Sequence, residues 1–203
     1  MNFPEIFSMV KDLALAGAAF TTAYVALAGL EKWQKELTGK ANFDVARELA
    51  KSIYLLRDAI SSCRSPFTAA HEFPEGYDGV LSKRSNEEEG QAWAFVYKKR
   101  WEPVGKALQS LDTATLEAEA LWGKEIKEKV QELRLCTTSL FVDIQTFIED
   151  KYSGGEDFKD QEFARAIHFG IWDKKPSENE LTLRINKAID GIESVIRPHL
   201  SRN

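Results

Sequence analysis

Eighteen consecutive residues near the start of the chain, Leu13 to Leu30 (LALAGAAFTTAYVALAGL), carry no charged side chain. No other feature of the sequence constrains the fold as much. An uncharged helix of this length just reaches the lower limit for crossing a hydrocarbon core, about 17–25 residues. Its composition tempers the signal, because Ala, Gly and Thr add little to transfer into lipid and only four leucines drive it. Three solvents compete for such a segment. A cleavable signal peptide needs a positive leader and a small-residue cleavage site, whereas MNFPEIFSMVKD is nearly neutral and the stretch runs unbroken into EKWQKEL. A helix apolar on all sides can also lie at the centre of a bundle, the soluble alternative. Against that stands the charge asymmetry of the flanks: Lys32, Lys35, Lys40, Arg47, Lys51, Arg57 and Arg64 follow, while Lys11 alone precedes. Trp33 falls where an interfacial aromatic would sit.

The expectation is therefore an N-terminal transmembrane helix, residues 1–31, and a helical bundle domain, residues 32–203. The positive-inside rule puts the bundle in the cytoplasm of a single-pass inner-membrane protein. The cysteine usage agrees with a reducing compartment, since Cys63 and Cys136 are far apart and form no metal-binding or redox motif; both read as small buried thiols. Small residues recur every four positions at Ala14, Ala18, Thr22 and Ala26, and again at Gly17 and Thr21, a spacing that lets helices approach closely in lipid. The partners expected are the membrane through residues 13–30 and a protein partner or a second copy of the chain. With a net charge of −5 and a pI near 5.4, nucleic acid is not among them.

Downstream, the apolar positions keep helical period. Val45, Leu49, Ile53, Leu56 and Ile60 define a helix from about Asn42 to Cys63, capped by Asn42 or Asp44 and ended by Pro66; if it continues the first helix, Gly39 is the joint. Residues 65–79 (SPFTAAHEFPEGYDG) read as a loop packed over the bundle's end. A third helix is expected from Ser82 or Asn86 to Leu111, with Trp93, Val96, Val104, Leu108 and Leu111 on one face and a kink or break at Pro103. The fourth, opening at Asp112 or Thr113, carries Leu116, Ala120, Gly123, Val130, Leu133, Thr137, Leu140, Ile144 and Phe147 over roughly 38 residues, about 57 Å of helix. A turn at residues 153–160 precedes a short helix from Gln161 to Ile171. A last helix runs from Ser177 or Glu178 to Ile196, with Ser177 and Glu180 as a capping box, Leu181, Ile185, Ala188, Ile189, Ile192 and Ile196 as its apolar face, and Pro198 as its stop. The fold class is all-α: an N-terminal helix followed by an antiparallel bundle of about four long helices.

No residue set specifies a reaction. His71, Glu72, Glu75 and Asp78 cluster on the loop, but their spacing fits neither an EF-hand nor a zinc motif, and a solvated acidic loop is the reading preferred. Arg165 and His168 lie one helical turn apart beside Phe169 and Trp172, where an aromatic-lined pocket could form; docking of the Phe163, Ile167, Ile171 stripe explains the same residues. Arg57 and Asp58 read as a structural ion pair near the apolar face, and His199 as exposed. No catalytic residue, cofactor site or metal site is assigned, and nucleotide-binding and common hydrolase motifs are missing. The phrases WQKEL, YLLRDAI followed by CRSPF, and IESVIRPHL resemble those of small uncharacterised bacterial single-pass membrane proteins with a cytoplasmic helical domain. The resemblance implies a membrane-anchored helical domain and carries no activity. The function expected is that of a membrane-anchored interaction or scaffold protein, the alternative a soluble oligomeric adaptor with the Ala-rich helix buried in its core. An enzyme of unfamiliar kind built on Arg165/His168 or His71 ranks third.

Overall fold

A computed structural model describes residues 3–77, 84–156, 158 and 160–200, with side chains from Met9 onward except those of Val10 and Asp12. The described chain is all α, in the order α1 (Phe3–Cys63), α2 (Asn86–Trp122), α3 (Lys124–Ser153), α4 (Gln161–Ile171) and α5 (Glu180–Leu200), with one 3-10 turn, Ala70–Glu72. It divides into two compact units inside α1, the first ending at Asp44 and the second beginning at Val45. Residues 32–44 fall in the first of these units.

The second unit is a four-helix bundle built on heptad seams. Along the last part of α1, Ala46, Leu49, Ile53, Leu56, Ile60 and Cys63 recur three and four residues apart and are all buried. Val104, Ala107, Leu111, Ala114 and Ala118 repeat the pattern on α2, Ile126, Val130, Leu133, Thr137, Leu140, Ile144 and Phe147 on α3, and Leu181, Ile185, Ala188 and Ile192 on α5. Residues of all four stripes meet in one hydrophobic core. Directions follow from the end contacts. Arg64, just past α1, bonds Asn179 at the start of α5, whereas His199 at the end of α5 stacks on Trp122 at the end of α2. Trp93, early in α2, meets Phe147, late in α3. The chain therefore runs up, down, up and down through α1, α2, α3 and α5, and α4 packs on α3 and α5 near the end where α1 finishes.

Three boundaries differ from the sequence reading. α1 is the continuous alternative, the helix expected from Asn42 extending the first, but without a break at Gly39. The break expected between Leu111 and Asp112 lies instead at Gly123, whose φ of 80° belongs to the left-handed region and whose N–H donates to Glu119 O. Asp112 and Thr113 are interior: Asp112 accepts from Arg134 of α3 at 2.7 Å, and the Thr113 hydroxyl donates to Gln109 O at 3.0 Å. Helix α2 also passes through Pro103, which sits on the exposed face, where the Lys99 carbonyl it strands can be hydrated; the burial of Val104 and Leu111 beside it offsets a penalty of about 3 kcal/mol. Finally, α5 starts at Glu180 and continues two residues past Pro198; Asn179, not Ser177, caps it, its Oδ1 accepting from Thr182 N at 3.1 Å.

Candidate functional site

The first candidate is the apolar stretch itself. Every residue from Leu13 to Leu30 is exposed, with Leu13 at 77% and Phe20 at 80%. The helix containing it is long and apolar enough to cross a membrane: its best 18-residue window has a mean hydropathy of 1.7, and none of that window is buried. Its few polar side chains are mostly self-satisfied, because the hydroxyls of Thr21 and Thr22 donate to the carbonyls of Gly17 and Ala18 at 2.8 and 2.9 Å. Tyr24 is the exception, exposed and without a hydrogen-bond acceptor among the described residues. Beyond the stretch, Trp33 and Leu37 also remain exposed, alongside a Lys32–Glu36 ion pair at 4.0 Å.

A second candidate was not legible in the sequence. Arg64, counted there among the basic flank, is 1% exposed. Its guanidinium donates to Gly170 O (2.7 Å), Phe169 O (3.1 Å), Thr182 Oγ1 (2.7 Å) and Asn179 Oδ1 (2.7 Å), fastening the end of α1 to α4 and α5. Asn179, equally buried, also donates to Phe169 O at 2.7 Å, and Thr182 passes the chain on to Asp173 at 2.9 Å. Burial lowers the Arg64 pKa, with Asp173 and Asp143 acting in the opposite sense. A buried cation held by carbonyl, hydroxyl and amide oxygens is a structural clamp, satisfied without a direct carboxylate contact. Asp143 lies close by in a cleft between α3, α4 and α5, and burial pushes its carboxyl up to about 6 against the pull of Arg64 and Arg184.

The residues singled out from the sequence are dispersed by the fold. Glu72 is taken by Arg100, which donates to it at 2.6 Å and also holds the Ser65 and Phe67 carbonyls; that bond keeps the Glu72 carboxyl below its ordinary range. His71 and Glu75 do not join it, Asp78 lies outside the described residues, and no group of metal-ligating side chains occurs among the described residues. Arg165 is exposed, while the His168 ring stacks on Trp172 at 4.7 Å and meets the edges of Phe147 and Phe158. Burial lowers the His168 pKa, assisted by Lys151 and Lys174. Ile167 and Ile171 dock into the core as expected, while Phe163 stays 44% exposed. Arg57 does pair with Asp58, but on the surface, at 2.8 Å. His199 is stacked on Trp122 at 4.3 Å, not free in solvent. Both cysteines are free thiols and buried.

The fold and these sites define a helical bundle that shares one continuous helix with an exposed apolar segment. No protein-family model, curated protein or solved structure matches the chain.

Proposed function

We propose that this chain is a single-pass membrane-anchored helical interaction protein, with residues 13–30 in the bilayer of a bacterial inner membrane and the bundle in the cytoplasm. One observation carries the reading: eighteen uncharged helical residues whose side chains are all exposed. In water, an apolar surface including Leu13, Leu15, Phe20, Val25, Leu27 and Leu30 is an association hazard; in lipid it is solvated. The orientation rests on Lys32, Lys35, Lys40 and Arg47 following the stretch against Lys11 before it. Action by binding is inferred because the titratable groups sought as chemistry are engaged in structural pairs or scattered. Tyr24 adds an argument for a helical neighbour: a phenolic hydroxyl in hydrocarbon gains from an acceptor on a second helix, on the same side of α1 as Gly17 and Thr21.

The test is alkaline carbonate extraction of membranes from cells expressing the full chain, combined with labelling of a Lys40→Cys variant by an impermeant thiol reagent. Retention in the pellet is expected, with labelling only after permeabilisation. Background should be low because burial of Cys63 pushes its thiol up to about 11 and Cys136 is buried as well. Release into the soluble fraction would overturn the anchor. The soluble-oligomer reading draws on Trp33 and Leu37, which continue the exposed apolar surface beyond the span. A monodisperse oligomer in the detergent-free supernatant, reduced to monomer by deleting residues 1–30, is its distinguishing outcome.

A further inference from the structure

The cleft between α3, α4 and the start of α5 holds two opposite charges that, among the described residues, pair neither with each other nor with any other side chain. Its volume is about 520 Å³, and its lining includes Asp143, Ile167, Gly170, Leu181 and Arg184. Asp143 is half-buried and makes no hydrogen bond or ion pair among the described residues. Arg184, exposed on α5, is unengaged in the same way. The carboxylate is admitted by a missing side chain: a Cβ on Gly170 would lie 1.9 Å from Asp143 Oδ2, so only a bare backbone leaves it room. Arg64 does not neutralise Asp143 by contact, since its donors are given to Gly170 O, Phe169 O, Thr182 and Asn179.

A desolvated carboxylate with no donor is an expense that a folded chain normally avoids. Its raised pKa has burial as the largest cause, with Arg64 and Arg184 opposing, so no direct partner compensates the desolvation. A concave space of ligand size with apolar walls, here Ile167 and Leu181, and a few convergent polar groups is the ordinary form of a small-molecule site. Glu180 in the lining, with Glu178 beside it paired to Lys175 at 3.0 Å, disfavours an anion, and Arg184 disfavours a simple cation. A molecule bearing both charges meets neither objection.

We propose that this cleft binds a small zwitterion of the α-amino-acid class, its ammonium on Asp143 and its carboxylate on Arg184. The site is independent of whether α1 lies in lipid. The experiment is equilibrium dialysis of the full-length protein in detergent micelles against a radiolabelled mixture of L-α-amino acids, with their N-acetyl and carboxamide derivatives as controls lacking one charge. At least one amino acid is expected to be retained at millimolar concentration. Each derivative should bind about tenfold more weakly or worse, as should the protein carrying Asp143→Asn or Arg184→Gln. Thermal melts check that both variants remain folded. Absence of retention, equal binding of the derivatives, or retention unchanged in both variants overturns the assignment. So does a direct pair: in ligand-free protein the two substitutions should change the unfolding constant independently, and coupling beyond about fivefold would mean that Arg184 closes onto Asp143 and fills the site itself.

Discussion

Within α1, residues 13–30 and residues 46–63 are stretches of the same length in one helix, yet their side chains meet different surroundings. In the second, apolar residues are confined to a seam: Ala46, Leu49, Ile53, Leu56, Ile60 and Cys63 are at most 2% exposed, while Arg47, Glu48, Lys51, Arg57 and Asp58 take the opposite side. In the first there is no seam and no charge, and every position is exposed. A helix with one wet side needs the periodic pattern, because water selects which face is buried. A helix surrounded by lipid needs none, since every direction is apolar. The solvent of a helix is therefore written in where its charges fall, more than in how many apolar residues it carries.

The sharpest way to break this contrast is to remove the clamp at the end of the patterned half. Arg64→Ala would strip Gly170 O and Thr182 Oγ1 of their guanidinium donor and leave Phe169 O and Asn179 Oδ1 with only the bonds they exchange with Asn179 and Thr182. A loss of about 3–5 kcal/mol is expected in denaturant unfolding followed by bundle tryptophan fluorescence. Next comes Leu56→Ala, in the middle of the seam, which should cost about 2–5 kcal/mol in the same assay, whereas Leu27→Ala in the unpatterned half should leave bundle unfolding within about 0.5 kcal/mol. Equal losses from the two leucines would mean that residues 13–30 belong to the bundle core after all. A charge tests the other solvent: Phe20→Lys, 80% exposed here, would be harmless in water, but near the centre of a bilayer it should cost about 2.5–3.5 kcal/mol of insertion and shift protein out of the carbonate-resistant pellet.

An element was legible in the sequence where it announced itself by period. The seam of α1, the Val130 to Phe147 stripe of α3 and the bounds of α4 were all readable, because burial on one side imposes a three-and-four spacing. The Gly123 joint was not, since Leu116, Ala120 and Gly123 fall in step with the Val130 to Phe147 stripe. In the fold all three are exposed, and the buried α2 seam ending at Ala118 is out of register with the α3 seam beginning at Ile126. The signal available was a glycine alone in a run of good helix formers, TLEAEALWGKEIKE. Arg64 was hidden because its acceptors include the backbone carbonyls of residues 169 and 170, which no side-chain pattern encodes. Its position directly after the last seam residue, Cys63, and before Pro66 was the only hint. Asp143 was visible as a lone acid inside LFVDIQTF, but a single charge beside an apolar stripe cannot be told from a solvated one until the opposing glycine, residue 170, is brought against it.

The Gly123 joint carries the next prediction. At φ 80° an alanine is strained whatever the space around it, so Gly123→Ala should destabilise by about 1–2 kcal/mol and leave the core packing intact. If stability instead rises, residue 123 does not hold the left-handed conformation that separates α2 from α3, and the joint between the two helices would have to be redrawn.

The smallest effect is set by pH. Burial raises the Asp143 carboxyl to about 6, above its range in an unfolded chain, so the folded protein binds this proton more tightly than the unfolded one. Stability contributed by the protonated form is fully present below about pH 4 and is lost as pH rises through about 6, leaving a penalty at neutral pH. Because the side chain is only half-buried, solvent screening reduces the penalty to about 1 kcal/mol. Asp143→Asn should therefore stabilise the protein by about that amount at pH 7.5 and by nothing at pH 4, measured as the difference between paired urea melts. A variant less stable at pH 7.5 would mean that the carboxylate is held by Arg64 or Arg184 more strongly than it is penalised by burial. The acid in the patterned bundle would then be a structural counter-ion, as Asp58 is to Arg57 on the surface.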